Sequence, residues 1–256
     1  MTEPSLQGRK VVVTGGAQGI GYATALAIAQ QGGAVALLDL DDARLEKAQQ
    51  SVIAAVPSAI VDVARCDVSQ YDQVVAARDQ LAGGWGAADG LVNNAGIVDR
   101  ASAMDLTPAL WQSVIDVNLS AVFYCSQIFG ASMLEAGRGG IVNLASMSGL
   151  IVNRPQPHVA YNVSKAGVIM LTKSLAAEWA PNGVRVNAVA PGYIRTPLSA
   201  ENMKTEMAKQ YWTGATPMAR PGEPSEVADA IVFLLAETAS FITGSTIVID
   251  GGYTVW

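Results

Sequence analysis

Histidine and cysteine are almost missing from this chain, with one and two residues among 256. Two thiols, Cys66 and Cys125, are too few for a disulfide framework. Each stands in an apolar context, which reads as a buried free thiol rather than a reactive one. The lone imidazole, His158, lies in a Pro-rich stretch, and no G-x-S-x-G elbow accompanies it, so a Ser-His-Asp hydrolase is excluded. His158 itself reads as an incidental loop residue or as the rim of a substrate pocket. No Cys, His or Asp group has metal-ligand spacing, and no metal is expected. Charge is also sparse, at 15% of residues with a formal net charge of -6. Nucleic acid and anionic membrane both reward clustered Lys and Arg, so neither is expected as a partner. No run of about 18 apolar residues stands out as a membrane span. The opening MTEPSLQGRK offers no apolar stretch for a signal peptide, and a cytoplasmic location is expected.

Apolar residues, by contrast, make up half of the chain. Short Val/Ile/Leu runs at 10–14, 34–40, 59–66, 90–93, 140–145, 185–190 and 245–250 show little alternation, as strands covered on both faces should. Helical patterns fall between them, near 19–31, 41–56, 70–81, 108–134, 160–179 and 225–235. The alternating order predicts an α/β fold, a doubly wound parallel sheet with right-handed crossovers and helices on both faces. No linker, repeat or low-complexity segment interrupts it, so residues 1–256 are expected to form one domain. The stretch from Pro191 to Pro224 departs furthest from the pattern and reads as a substrate lid at about 192–223.

The first strand runs into Thr14-Gly15-Gly16-Ala17-Gln18-Gly19-Ile20-Gly21 and then a helix. Glycines here allow a tight turn, backbone access to a pyrophosphate and close helix–sheet contact, while the helix N-terminus offers free N–H groups to phosphate. Asp39 ends the second strand eighteen positions after Gly21, where a carboxylate can accept hydrogen bonds from ribose hydroxyls. A 2′-phosphate would meet like charge there, since Leu40, Asp41 and Asp42 follow, so NAD is expected over NADP. Asp39 can equally serve as the N-cap of the next helix. Asp67-Val68 after the third strand and Asn93-Asn94-Ala95-Gly96 after the fourth stand at the same end of the sheet, as cofactor contacts or as ordinary turns.

Tyr161 and Lys165 are four residues apart on one predicted helix and share a face. A free phenol titrates near 10; a cation within about 4–6 Å can lower an acid by roughly 1–3 units, enough for a base near neutral pH. The glycine loop, the Asn93 motif, Asn118, Ser146, Tyr161/Lys165 and Pro191-Gly192 follow one another in a single order. With that order the chain resembles the short-chain dehydrogenase/reductase family over essentially its whole length. The resemblance implies a seven-stranded Rossmann-type sheet and a homotetramer, with the helices at 108–134 and 160–179 forming the main dimer contact. It implies that Tyr161 is the general acid/base, that Lys165 tunes it and holds the nicotinamide ribose, and that Ser146 binds the substrate oxygen. Asn118 would sit in a helix and help hold a water chain from Lys165. Gly15, Gln18, Gly19, Ile20, Gly21, Asp39, Asp67, Val68, Asn93, Ala95, Gly96, Pro191, Ile194 and Thr196 would line the NAD site.

Ser146 and Tyr161 are fifteen apart, slightly more than is usual in the family, because the stretch 153–158 is longer. Ser148 is therefore a second candidate for the substrate serine, with Ser146 preferred because it follows its strand directly. The Pro155-Gln156-Pro157 insertion and the ending Asp250-Gly251-Gly252-Tyr253 look like those of sugar-alcohol dehydrogenases within the family. Ser148, Asn153, Gln156 and Asn162 can meet several hydroxyls or cap turns. The expected substrate is a C4–C6 polyol such as galactitol, sorbitol or arabinitol, oxidised to a ketose. The rivals are a 3-oxoacyl thioester reductase, an NAD(H)-sensing regulator without catalysis, and a methyltransferase on the same sheet.

Overall fold

Seven short runs of Val, Ile, Leu and Ala form one parallel sheet because both of its faces are covered by helices. The computed structural model describes residues 5–256; residues 1–4, which begin the stretch read as lacking a signal peptide, lie outside the described residues. The strands are β1 (Lys10–Thr14), β2 (Ala34–Asp39), β3 (Val61–Arg65), β4 (Gly90–Asn93), β5 (Gly139–Leu144), β6 (Val184–Pro191) and β7 (Thr246–Ile249). Their order across the sheet is β3-β2-β1-β4-β5-β6-β7. The helices are α1 (Gly19–Gln30), α2 (Asp42–Ala55), α3 (Tyr71–Trp85), α4 (Pro108–Ile115), α5 (Ala121–Ala136), α6 (Val159–Trp179), α7 (Glu206–Ala208) and α8 (Pro224–Leu235).

Strand alternation sorts the core into two layers. Val11, Val13, Val35, Leu37 and Val92 pack with Ile28 of α1, Leu45 and Val52 of α2, and Ile231 of α8. Val12, Leu38, Leu91 and Ile141 face the other way, onto Leu81 of α3, Ile128, Phe129 and Met133 of α5, and Trp179 of α6. The doubly wound prediction is therefore met strand by strand.

Two helices differ from their sequence reading. The single helix expected at 108–134 is α4 and α5 joined by a π-helical turn, Asp116–Ser120, a rare geometry that concentrates at functional sites. The span Pro108–Ala136 is long and apolar enough by length and composition to cross a bilayer, although the sequence reading found no such run; half of its most apolar window is buried inside the protein. Helix α3 continues past the expected end at 81 because Leu81 and Trp85 are both buried, and it stops at Gly86, whose φ of 82° suits glycine.

Leu91 is fully buried in β4, at the middle of the sheet. Leu91→Ala is expected to lower unfolding stability by about 2–5 kcal/mol in urea denaturation. Leu110→Ala, on the exposed flank of α4, should stay within about 0.5 kcal/mol.

Candidate active site

Strand order reverses between β1 and β4, and ligands of open parallel sheets bind in the crevice at such a switch point. The glycine loop follows β1 there. Gly15 and Gly19 have φ of 60° and 57°, a region that side chains rarely adopt. A Cβ on Gly21 would overlap the Gly15 carbonyl oxygen and come within 2.6 Å of Asn94 Nδ2, so the helix start must be bare. Gln18 is the N-cap residue of α1, but its side chain makes no capping bond, and the first turn holds no acidic residue. The N–H groups around Gly19, Ile20 and Gly21 are thus left for an anion. Gly19 lies against Thr196, whose Cγ2 is 3.4 Å from a hypothetical Cβ. The chain beyond Pro191 therefore closes over the phosphate loop, and Ile194, buried, bridges to Gly222 to hold it there.

Asp39 stands at the end of β2, where Oδ2 accepts from Ala17 N at 3.2 Å and Oδ1 from Leu40 N at 2.8 Å. The cap of α2 is Asp41, whose carboxylate accepts from Arg44 N at 3.0 Å, so Asp39 does not serve as that cap. Asp67 Oδ1 accepts from Ser69 N and Oγ at 3.0 and 2.7 Å, which is the turn role. Val68 next to it is buried. Asn93 is the last residue of β4. Its side chain turns into the protein, where Nδ2 donates to Asn143 Oδ1 at 2.8 Å and Ser126 Oγ at 3.0 Å. Strand alternation sends that side chain to the α5/α6 face with Leu91, while the backbone of position 93 stays at the end of β4.

Tyr161 and Lys165 lie on one face of α6. Lys165 Nζ is 5.7 Å from the phenol ring centroid and donates to Leu144 O at the end of β5, at 2.6 Å. Ser146 begins the turn after β5, and its Oγ accepts from Ser148 N at 3.1 Å as an N-cap. The hydroxyl proton is thereby left for the Tyr161 oxygen or a substrate oxygen. Asn118 lies in the π turn, fully buried; Oδ1 accepts from Ile97 N at 2.8 Å, and Nδ2 donates to Ile97 O at 2.9 Å and Ser164 Oγ at 3.1 Å. A Cβ on Gly96 would sit 3.3 Å from Asn118 Oδ1 and 3.6 Å from Lys165 Nζ, so glycine lets the β4 loop pass between them.

Burial governs the electrostatics of the pair. Burial pushes the Tyr161 phenol above its ordinary value, and the lowering influence is the Ser146 hydrogen bond rather than Lys165. Burial also brings Lys165 down to about 8. Both effects have one cause, since a dry pocket disfavours charge on either group.

A family model described as enoyl-(acyl carrier protein) reductase matches residues 15–254. A galactitol 2-dehydrogenase of Rhizobium johnstonii is 47% identical over 252 residues, covering 98% of this chain and 97% of the relative. A cyclohexanol dehydrogenase of an Acinetobacter strain is 41% identical over 95% of this chain and 94% of its own. A solved short-chain type dehydrogenase/reductase from Mycobacterium marinum superposes with a TM-score of 0.93 at 39% identity, covering 98% of this chain and 97% of its own. The chain belongs to the short-chain dehydrogenase/reductase family.

Several residues around this short-chain dehydrogenase site carry structure that the sequence reading did not assign. Asn94, inside the motif but not singled out, clamps the crevice by donating from Nδ2 to Thr14 O and Gly15 O, both at 2.9 Å. Thr14 Oγ1 accepts from Asn94 N and Ala95 N in return. Buried Asp99 accepts from Tyr161 N at 3.0 Å, placing a carboxylate at the N-terminus of α6. His158 Nδ1 meets the Asp99 carbonyl, so the lone histidine sits at the start of the catalytic helix rather than in an idle loop. Asn153 bonds Ser148 Oγ at 2.9 Å through its carbonyl oxygen and Tyr193 Oη at 3.0 Å through its amide nitrogen, so it links two hydroxyls of the protein. Asn162 keeps a buried Oδ1 without a partner. Tyr193 and Trp212 are stacked with centroids 4.3 Å apart; aromatic residues in an irregular stretch gave no periodic signal. Among the described residues, no three His, Cys, Asp or Glu side chains come together as a metal site.

Because the Ser146 bond lowers the phenol's pKa, removing it raises that pKa. Ser146→Ala should therefore move the rising limb of the kcat/KM–pH profile for alcohol oxidation to higher pH. Ser146→Thr, which keeps a hydroxyl, should leave the limb close to that of the wild type.

Proposed function

We propose that this short-chain dehydrogenase oxidises a C4–C6 polyol to a ketose with NAD, using Tyr161 as the base. The observation that carries the reading is the meeting of Ser146, Tyr161 and Lys165 at the mouth of a glycine-lined crevice. The bare glycine loop and the uncapped α1 fit a dinucleotide, with Gly15, Gln18, Gly19, Ile20 and Gly21 at the pyrophosphate. Asp39 would accept the adenosine ribose hydroxyls, which favours NAD over a 2′-phosphorylated cofactor. Arg44, the guanidinium nearest the loop, is paired with Asp41 at 3.0 Å and reaches Gln18 only at 3.4 Å. Asp67 and Val68 would border the adenine, Ala95 and Gly96 the ribose, and Pro191, Ile194 and Thr196 the nicotinamide end.

When bound, an oxidised nicotinamide supplies the hydride acceptor and a positive charge beside the phenol. Ser146 would then hold the substrate oxygen by its free proton while Tyr161 Oη takes the hydroxyl proton. Lys165 holds position through Leu144 O and would return protons toward solvent past Asn118. The protein contributes alignment, a dry pocket and a proton path. The polyol assignment draws on the 47% identical galactitol dehydrogenase and on the chain of polar side chains, Ser148, Asn153 and Tyr193, that stands behind Ser146. A site built around hydroxyl partners rejects analogues that lack them. Expected rates of NADH formation are highest for polyols across a panel of polyols and secondary alcohols, and NADP is the poorer oxidant. Tyr161→Phe should cut turnover about 10²–10⁴-fold with NADH affinity nearly retained. Full turnover by that variant would remove Tyr161 from the chemistry.

A homotetramer is the assembly we infer. Phe123 on α5 with Val163 and Met170 on α6 leave an apolar strip exposed, and β7 ends the sheet with an open edge beside exposed Phe241. Met170→Glu should reduce the mass seen in light scattering to that of a smaller assembly.

A further inference from the structure

We propose that Tyr193 is a positioning residue that couples the segment covering the site to the catalytic serine, so that a substrate reaching that segment raises kcat and not only affinity. The inference rests on the dehydrogenase reading and deepens its polyol part. Residues 194–222 leave and return through a narrow neck: Ile194 and Gly222 form a bridge, Arg195 N donates to Gly222 O at 2.9 Å, and Gly222 N donates to Tyr193 O at 2.9 Å. Tyr193 thus belongs to the neck. Its ring also reaches into the segment, stacking on buried Trp212 with an interplanar angle of 10°. Trp212 is fixed a second time, since Gln156 Oε1 accepts from its Nε1 at 2.6 Å with the amide turned to satisfy both groups.

The hydroxyl of Tyr193 points the other way, toward the chemistry. Asn153 Nδ2 donates to it, Asn153 Oδ1 accepts from Ser148 Oγ, and Ser148 N donates to Ser146 Oγ. Ser146, Ser148 and Asn153 are each more than nine-tenths buried. Both arms of the Asn153 amide are occupied, so moving Tyr193 leaves a buried donor unpaired, which is costly. Tyr253 packs edge-on against the same ring at 5.4 Å and donates from its own hydroxyl to Tyr211 O, beside Trp212. Three separate parts of the chain therefore meet on one phenol. A shift of Trp212 by a bound substrate is passed through Tyr193 and Asn153 to the serine that aligns the reacting oxygen. Contacts remote from the reacting carbon raise kcat when they are spent on alignment. On this proposal a six-carbon polyol held at Ser146 would reach further toward Trp212 than a four-carbon one.

The test is kcat and KM for galactitol and threitol, and for 2-octanol and 2-butanol, in the wild type, Tyr193→Phe, Asn153→Ala and the double variant. Tyr193→Phe keeps the stacked ring and removes only the hydroxyl link. The long-to-short kcat ratio should exceed one in the wild type and fall about tenfold in either single variant, the scale of one lost hydrogen bond. The double variant should be no worse than the singles, because both cut the same link. Equal losses on long and short substrates, or a change confined to KM, would overturn the coupling. Should Tyr193→Phe fail to fold, Asn153→Ala reads the same ratio from the other end. If the wild type oxidises no polyol, the substrate reading fails by itself, and an unchanged 2-octanol to 2-butanol ratio then decides against the coupling.

Discussion

The burial of Lys165 is the constraint around which this site is built. An ammonium that is 4% exposed must find a strong acceptor, and Leu144 O supplies it at 2.6 Å. That bond fixes the catalytic helix against the end of β5, and Ser146 begins two residues later. Gly149 completes the arrangement, since a Cβ there would lie 2.7 Å from the Lys165 carbonyl carbon. The serine turn can therefore rest directly on the helix backbone. Asp99 holds the first turn of the same helix from the β4 side. Strand ends, serine turn and helix start are thereby locked at one point, which is what a reaction sensitive to small misplacements requires.

The same burial sets the chemistry. A pocket that raises the phenol and brings the lysine to about 8 penalises both members of an ion pair. Among the groups around the phenol, the Ser146 hydrogen bond is the one that draws its pKa down. In the proposed mechanism the single Ser146 proton serves in turn, on the phenol oxygen in the empty site and on the substrate oxygen once substrate is bound. The serine's N-cap bond with Ser148 N permits both, because it uses a lone pair and leaves the proton free.

Much of this was legible in the sequence, and the failures have physical reasons. Unbroken β-branched runs identified all seven strands, and the spacing from Tyr161 to Lys165 gave a shared helix face because the helical period is fixed. Glycines 15, 19 and 21 were readable for the same reason: only glycine accepts their backbone angles or the contact with Gly15 O. What stayed hidden depends on contacts between distant segments. Nothing local marks Tyr193 as the partner of Trp212, nor Asp99 as the cap of α6, which lies across the crevice. The π turn at Asp116–Ser120 was invisible because it interrupts the hydrogen-bond ladder without altering the apolar pattern. The desolvation that raises the Tyr161 phenol comes from the packing of distant segments, and helix spacing carries no trace of it.

Asn93 shows how a side chain can support the site from beneath it. It pairs in register with Asn143 on β5, and the two amides meet at 2.8 Å on the α5/α6 face. Asn143 goes on to Thr172 Oγ1 on α6, and Asn93 to Ser126 Oγ on α5. All four are buried. An apolar layer of the same shape could fill this space at little cost in stability, since replacing both partners of a buried hydrogen bond by apolar groups can be nearly neutral. A purely apolar seam would, however, let α5 and α6 slide against the sheet with little change in energy. Directional bonds permit one register. That register sets where Asn118 and Lys165 stand relative to Ser146, so a polar layer beneath the site does for the two helices what Leu144 O does for the lysine.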